Sequence, residues 1–164
     1  TNTPSRNKDH SSVDITLSKR KRRLDEKAIF DAYDNGRHNF AQEDLSNLNL
    51  SKAKLLGVNF FQCKLTGTNL QGADLSNADL GRANLTQAIL KNTNLDNAYL
   101  AYADLEESDL RGANLTGANL RHANLKNANL CGANLSDAQV NREQIALAKT
   151  NWLTVMPNGK RGSW

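Results

Sequence analysis

The sequence predicts an all-β solenoid, a rod built from stacked coils of one short repeat. Leucine stands at every fifth position from Leu45 to Leu135, interrupted only by Phe60, and Val140 ends the series. This gives 20 consecutive five-residue units in a chain of 164 residues. A period of five fits neither the helical period of about 3.6 nor the strand period of about 2. A short repeat held this strictly is typical of a solenoid.

The residues before each leucine indicate how one unit folds. Two positions before it, 13 of the 20 sites are Ala, and one position before it 15 of the 20 are Asn or Asp. Alternate residues of an extended segment share a face, so the Ala and Leu side chains are expected to point inward together. Asn and Asp tolerate turn geometry and bond to nearby backbone groups. A corner is therefore expected in every unit, with the two residues after the leucine on the outside.

The repeat, as in GADLSNADLGRANL and RGANLTGANLRHANLKNANL, resembles the pentapeptide-repeat family. This resemblance implies a right-handed quadrilateral β-helix with four units in each coil. Twenty units then make about five coils, and a strand spacing of ~4.8 Å gives a rod roughly 24 Å long. Phe40 and Phe60 share the leucine phase and are one coil apart, so they are expected to stack.

Short helices are expected to cap both ends of the rod, because an open end exposes core side chains and unpaired strand groups. Leu24 to Asp34 predicts the first helix, which Asn35 and Gly36 end. Asn141 and Gln144 predict a capping box at the start of the second. The expected plug residues are Phe30, Tyr33 and Phe40 at the first end and Ile145, Leu147, Ala148, Trp152 and Val155 at the second.

The predicted organisation has five parts. Residues 1–22 form a disordered basic linker, 23–40 the N-terminal capping helix and the turn into the rod, and 41–140 the β-helix. Residues 141–156 form the C-terminal helical cap, and 157–164 a tail. The linker ends in five consecutive cations, Lys19 to Arg23, which could touch nucleic acid or anionic lipid but are more often a solvated face.

Charge is concentrated outside the repeats. Residues 41–140 hold eight Lys or Arg against ten acids, a net charge of −2, whereas each flank carries +3. A rod this close to neutral is a poor imitation of a phosphate backbone, so DNA mimicry is not expected. No apolar stretch approaches the ~20 residues of a membrane span, and the expected location is cytoplasmic.

Both flanks resemble the borders of the C-terminal pentapeptide-repeat domain of cyanobacterial serine/threonine protein kinases. The stretches that carry this resemblance are IFDAYDNGRHNFAQEDL, residues 29–45, and EQIALAKTNWLTVMPNGKR, residues 143–161. The chain begins at Thr1 rather than Met, which favours a piece of a longer protein. The kinase motifs themselves are absent, so no catalysis and no cofactor are expected here. The resemblance implies ATP and a divalent metal for the parent kinase only.

Other chemistry-bearing residues form no expected site. The histidines His10, His38 and His122 lack a neighbouring nucleophile and acid, and no His and Cys cluster has zinc spacing. Cys63 takes an inward site and Cys131 an outward site three coils away, too far for a disulfide. An acidic cluster is expected to be a solvated face rather than a metal site; its members are Asp104, Glu106, Glu107 and Asp109.

One side of the rod has the composition of a binding surface. With four units per coil, Arg82, Tyr102 and His122 stack on the side that contains Phe60, beside Tyr99. Tyrosine and arginine concentrate binding energy at interfaces. The alternative is that these side chains only stack on one another along the rod. The candidate partner-binding residues are Phe61, Arg82, Tyr99, Tyr102, His122 and Arg142.

Two classes of function follow. The first is a non-catalytic interaction or regulatory domain of a protein kinase, which binds a protein partner or a kinase substrate. The second is a free-standing repeat protein that binds a nucleic-acid enzyme or nucleic acid through its basic ends. The sequence leaves the oligomeric state open.

Overall fold

The protein is a four-sided β-helix in a computed structural model that describes residues 22–162. Parallel bridges join residues 20 apart, from Asn39 and Asn59 at the first coil to Asn119 and Gln139 near the last. Four five-residue units complete one coil, so each unit forms one side of the rod. The predicted solenoid of about five coils is confirmed. The predicted linker lies outside the described residues except for its last position, Arg22.

The inward positions form one continuous core. The leucines at every fifth position from Leu45 to Leu135, together with Phe60, are buried, as are the alanines two positions before them. Phe40 and Phe60 are fully buried with ring centroids 6.0 Å apart, so the expected stacking is confirmed. Each buried leucine contributes on the order of 1.5 to 3 kcal/mol. The core therefore runs the whole length of the rod and holds its four sides together.

Each corner is a tight turn closed by the backbone. The N–H three residues after a core leucine donates to that leucine's carbonyl, as from Ala73 to Leu70 at 3.0 Å. The Asn or Asp before the leucine accepts the N–H two residues later, as Asp74 Oδ1 does from Ser76. The expected local bonding is confirmed. The Asn or Asp does not itself adopt the turn conformation. Positive φ occurs instead at the second residue after each leucine.

Helix α1, Glu26–Asp34, covers the first coil. Asp25 caps its start by accepting the N–H of Ala28 at 2.8 Å. Gly36, at φ 87°, ends the helix as predicted, and the N–H of Arg37 donates back to the carbonyl of Ala32. The fully buried plug residue of α1 is Ile29, whereas Phe30 and Tyr33 are only partly buried at the edge of the core. The expectation that those two aromatics form the plug is therefore corrected.

Helix α2, Arg142–Ala146, covers the other end and has the predicted capping box between Asn141 and Gln144. The Gln144 side chain also donates to the carbonyls of Leu120 and Ala123, at 2.7 and 2.9 Å. In a continuing rod the Ala123 carbonyl would accept an N–H of the next coil, as the Ala103 carbonyl does from Asn124, so Gln144 replaces that missing donor. Ile145 is buried beneath the helix, as expected.

Ala148 packs against the core as expected, but other parts of the C-terminal cap differ from the prediction. Leu147 is 57% exposed and Trp152 is 72% exposed, so neither packs on the core. Thr154 is buried in this segment, and so is Met156. Met156 belongs to a hairpin in which Val155 and Arg161 form an antiparallel bridge. Residues 157–162 are therefore part of the cap rather than a tail, and residues 163–164 lie outside the described range.

Candidate protein-interaction surface

The predicted surface residues form a continuous ladder along one corner of the rod. One side of the rod has Phe60 among its core residues. We call the Phe60 corner the set of residues that lie two positions after each core residue of that side. The Arg82 guanidinium carbon lies 4.9 Å from the centroid of the Tyr102 ring. The Tyr102 ring in turn stacks on the His122 ring, with centroids 4.8 Å apart and planes 17° from parallel. The five corner residues are Gln42, Gln62, Arg82, Tyr102 and His122.

Every residue of this corner has the left-handed backbone conformation, with φ between 55° and 63°. A side chain with a Cβ is disfavoured there by about 1 kcal/mol, and glycine or asparagine is the usual solution. The corner that precedes the Phe60 side follows this rule at four of its five sites, Gly57, Asn77, Asn97 and Gly117, and has Asp137 at the fifth. The Phe60 corner has neither glycine nor asparagine at any of its five sites. It keeps long and aromatic side chains at a cost in backbone energy, which favours a function outside the fold.

Tyr99 lies beside this ladder and is held against the backbone. A Cβ on Gly81 would lie 2.8 Å from the Tyr99 ring, so the ring packs directly over the glycine. Gly81 and Ala101 are buried although they occupy outward turn positions. Tyr99 remains 44% exposed and Tyr102 52% exposed. The two rings are thus fixed in place while much of each faces solvent, as an anchor residue requires.

The cations of this surface are not neutralised by the rod. On the opposite side, Arg111 forms a 2.6 Å ion pair with Asp109, and elsewhere Lys126 pairs with Glu106 at 3.0 Å. Among residues 22–162, no carboxylate lies within ion-pair distance of the guanidinium of Arg82 or Arg121. The surface consequently presents positive charge beside its aromatic rings.

Two of the predicted residues lie apart from the ladder. Phe61 is partly buried one coil before Gly81, and in the described part of the chain it makes no ring contact with Arg82, Tyr99 or Tyr102. Arg142 is the first residue of α2. It was expected to continue the outward column beyond His122, and the helix removes it from that column. The structure therefore brings together Arg82, Tyr102 and His122, with Tyr99 alongside.

A groove of about 520 Å³ opens where the ladder meets α2. Arg121 lines it beside His122, a role that sequence reasoning missed. Arg121 occupies the first turn position of the same side, in a column with Phe61, Gly81 and Ala101. The repeat period places this column beside the columns that contain Tyr99 and Tyr102, and that placement was the signal for Arg121. The remaining lining residues are Gln139, Val140, Asn141 and Gln144.

The acidic cluster elsewhere on the rod is engaged in local bonds. The Arg111 side chain lowers the pKa of Asp109, and the Lys126 side chain lowers the pKa of Glu106. Glu107 accepts a hydrogen bond from Gln87 at 2.8 Å. Over residues 22–162, no group of His, Cys, Asp and Glu has an arrangement that could hold a metal ion. The two cysteines form no disulfide: Cys63 is buried, where its Sγ donates to the carbonyl of Phe40 at 2.9 Å, and Cys131 is partly exposed. No helix in the same range is long and apolar enough to cross a membrane.

Comparison with known proteins identifies the repeat. The family model described as pentapeptide repeats matches residues 44–81, 78–117 and 113–142, with 8 copies. This chain belongs to the pentapeptide-repeat family. Its fold is accordingly a right-handed quadrilateral β-helix, as the sequence pattern implied. No curated protein matches the chain.

Several solved pentapeptide repeat proteins are similar to this chain. Rfr23 of the cyanobacterium Cyanothece 51142 is 31% identical with a TM-score of 0.52, over 72% of this chain and 87% of that one. The protein alr5209 of Nostoc PCC 7120 is 26% identical with a TM-score of 0.47, over 77% and 96%. AT2G44920 of the Arabidopsis thaliana thylakoid lumen is 26% identical with a TM-score of 0.47, over 67% and 74%.

Proposed function

We propose that this rod is a non-catalytic interaction domain, which binds a protein partner or a kinase substrate through the Phe60 corner. The observation that carries the proposal is the ladder of Arg82, Tyr102 and His122 at backbone positions where glycine or asparagine is favoured. The stacking of these side chains is worth only ~0.5 to 1 kcal/mol per contact at an exposed site. The stacking therefore offsets only part of the backbone cost. Binding of a partner by the exposed rings explains why these side chains are kept at left-handed positions.

We further propose that the parent protein is a cyanobacterial serine/threonine kinase. The resemblance of residues 29–45 and 143–161 to the borders of such kinase domains supports this assignment. The rod would then regulate the kinase or bring substrates to it in the cytoplasm. ATP and a divalent metal would belong to the kinase domain, and the rod would need no cofactor. The isolated rod is expected to neither hydrolyse ATP nor phosphorylate protein, and phosphotransfer abolished by a point change within it would overturn this.

The decisive experiment compares two double variants of the parent protein. Tyr99→Ala with Tyr102→Ala should leave the fold intact, because both side chains point away from the leucine core, and should weaken substrate phosphorylation or partner capture. The matched control is Gln71→Ala with Lys91→Ala, which removes two outward side chains on the opposite side. Equal activity of the two double variants would show that the tyrosines are only a surface ladder.

A second candidate is a free-standing pentapeptide-repeat protein that binds a nucleic-acid enzyme or nucleic acid. The net charge of +3 on each flank favours it. The gene sequence upstream of Thr1 separates the two candidates. Kinase motifs in frame with the rod would support the first, and an initiator Met directly before Thr1 would support the second.

A further inference from the structure

The groove at the end of the Phe60 corner contains a backbone donor without an acceptor. Along this corner each N–H donates to the next coil, as from Tyr102 to the carbonyl of Arg121 at 3.0 Å. His122 would donate in the same way to Asn141. The Asn141 carbonyl instead accepts the N–H of Ile145, because Asn141 is the N-cap of α2. Within residues 22–162, nothing accepts a hydrogen bond from the backbone N–H of His122.

The Arg121 side chain supplies further donors beside this N–H. The Arg121 guanidinium lines the same groove and has no carboxylate partner among the described residues. The Gln144 amide is already used, since it donates to Leu120 and Ala123 and accepts from Asn141. A ligand atom in the groove therefore meets a backbone N–H and a guanidinium, which together favour an anionic oxygen.

We propose that this groove holds an anionic side chain of an acidic peptide segment in the partner protein. The N–H of His122 and the guanidinium of Arg121 donate to its oxygen atoms, while the rest of the segment lies over Tyr102 towards Arg82. This rests on the proposed function, and it names the chemistry of the partner. The anionic group is a carboxylate or a phosphate ester, and both present the same acceptor oxygens.

The geometry of the ladder supports a peptide with two acidic positions. The Arg82 guanidinium and the His122 ring lie 4.9 and 4.8 Å from the centroid of the Tyr102 ring between them, so the two ends of the ladder are at most about 10 Å apart. An extended peptide rises about 3.3 Å per residue, so acidic residues three positions apart span this distance. Nucleic acid fits less well, because the rod has a net charge of −2 and offers no long track of cations for successive phosphates.

The first test is an NMR titration of the full chain labelled with ¹⁵N. The probes are blocked peptides of one background sequence with Glu, phosphoserine or Gln at two positions three residues apart, and a short single-stranded oligothymidine. The expected result is a saturable shift centred on the His122 amide with the Glu peptide, the phosphoserine peptide or both. Which of the two binds identifies the anion. No such shift with either acidic peptide, an equal shift with the Gln peptide, or tighter binding of oligothymidine would overturn the proposal.

The second test uses two arginines at equivalent repeat positions on opposite sides. Arg121→Gln should weaken the acidic peptide about tenfold, the effect of losing a hydrogen bond to a charged group. Arg111→Gln should leave the affinity unchanged. An equal loss of affinity in the two variants would show that only the overall charge of the rod matters, which would overturn the proposal. If Arg121→Gln keeps full partner binding while Tyr99→Ala with Tyr102→Ala loses it, the proposed role of the groove is wrong and the proposed function stands. If neither change affects the partner, the proposed function itself fails.

Discussion

Each five-residue unit contains one residue in the left-handed conformation, the second residue after the core leucine. All 20 such sites between Gln42 and Asp137 have positive φ, and six of them are glycine. The sequence pattern had suggested the Asn or Asp before the leucine for the turn geometry instead. That residue supplies a side-chain acceptor and lies in the extended bridge. The concentration of glycine at the other position was the signal that distinguishes the two roles.

This backbone requirement predicts opposite effects for two substitutions. Lys52 is at φ 58°, so Lys52→Asn should raise the free energy of unfolding by about 0.5 kcal/mol. Gly117 is at φ 64°, and a Cβ there would lie 2.4 Å from the Asn97 side-chain oxygen, so Gly117→Ala should lower it by about 1 kcal/mol. Urea denaturation measures both. Equal stability of the two variants would contradict the assignment of strain to these sites.

The carboxylates of the bridge positions predict a response to acid. Hydrogen bonds from the Ser76 side chain and backbone hold the pKa of Asp74 below its ordinary value of 3.8. A lowered folded-state pKa stabilises the fold above the unfolded-state pKa, and this contribution is lost as the pH falls through 3.8 towards the lowered value. Asp74→Asn keeps the acceptor oxygen, as Asn94 and Asn114 do in the same column. The variant should therefore lose less stability than the parent between neutral pH and the acid range, as thermal melts across pH would show.

The two helices show which parts of the caps a sequence can specify. The capping box of α2 was predicted correctly because it depends only on residues three positions apart, Asn141 and Gln144. The predicted packing of Trp152 on the core was wrong. The five-residue period ends before this residue, and no local rule specifies where its side chain points. The hairpin was missed although Asn158 and Gly159 are a common hairpin turn pair.

The role of Gln144 at the end of the rod can be tested by removing its side chain. Gln144→Ala breaks the capping box and leaves the carbonyls of Leu120 and Ala123 without this donor. The side chain makes three hydrogen bonds, so at about 1 kcal/mol for each the expected loss of stability is about 3 kcal/mol. Hydrogen exchange should also become faster in the last coil. Glu143→Ala, an exposed change in the same helix turn, is the control, and a matching loss there would contradict the capping role.

The binding surface was predictable only in part, for reasons that belong to tertiary structure. The repeat period alone places Arg82, Tyr102 and His122 in one column, and their contacts confirm that placement. The period could not show that α2 takes Arg142 out of the column. It also could not show the unpaired N–H of His122, which exists because the chain leaves the repeat at Asn141.

The whole molecule depends on contacts between successive coils. Apart from the hairpin bridge, the bridges of residues 22–162 are parallel and join one coil to the next. No side of the rod has a core of its own, since the leucines of all four sides meet in one cluster. A repeat unit is therefore stable only between its neighbours. Damage at the centre should consequently spread in both directions, whereas damage at an end should remain local.

This difference gives the last prediction. Leu95 is fully buried in the middle of the rod, and Leu95→Asp would replace its burial, worth on the order of 1.5 to 3 kcal/mol, by an unpaired carboxylate that costs several more. A domain of this size is stable by only about 5 to 15 kcal/mol, so the variant should lose its cooperative thermal transition. Ile145→Asp, beneath α2, should instead expose the last coil and leave the remaining coils folded. Gln71→Asp, at an exposed turn position, should melt like the parent. If Leu95→Asp also melted at the parent's temperature, the inward assignment of the leucines would be refuted.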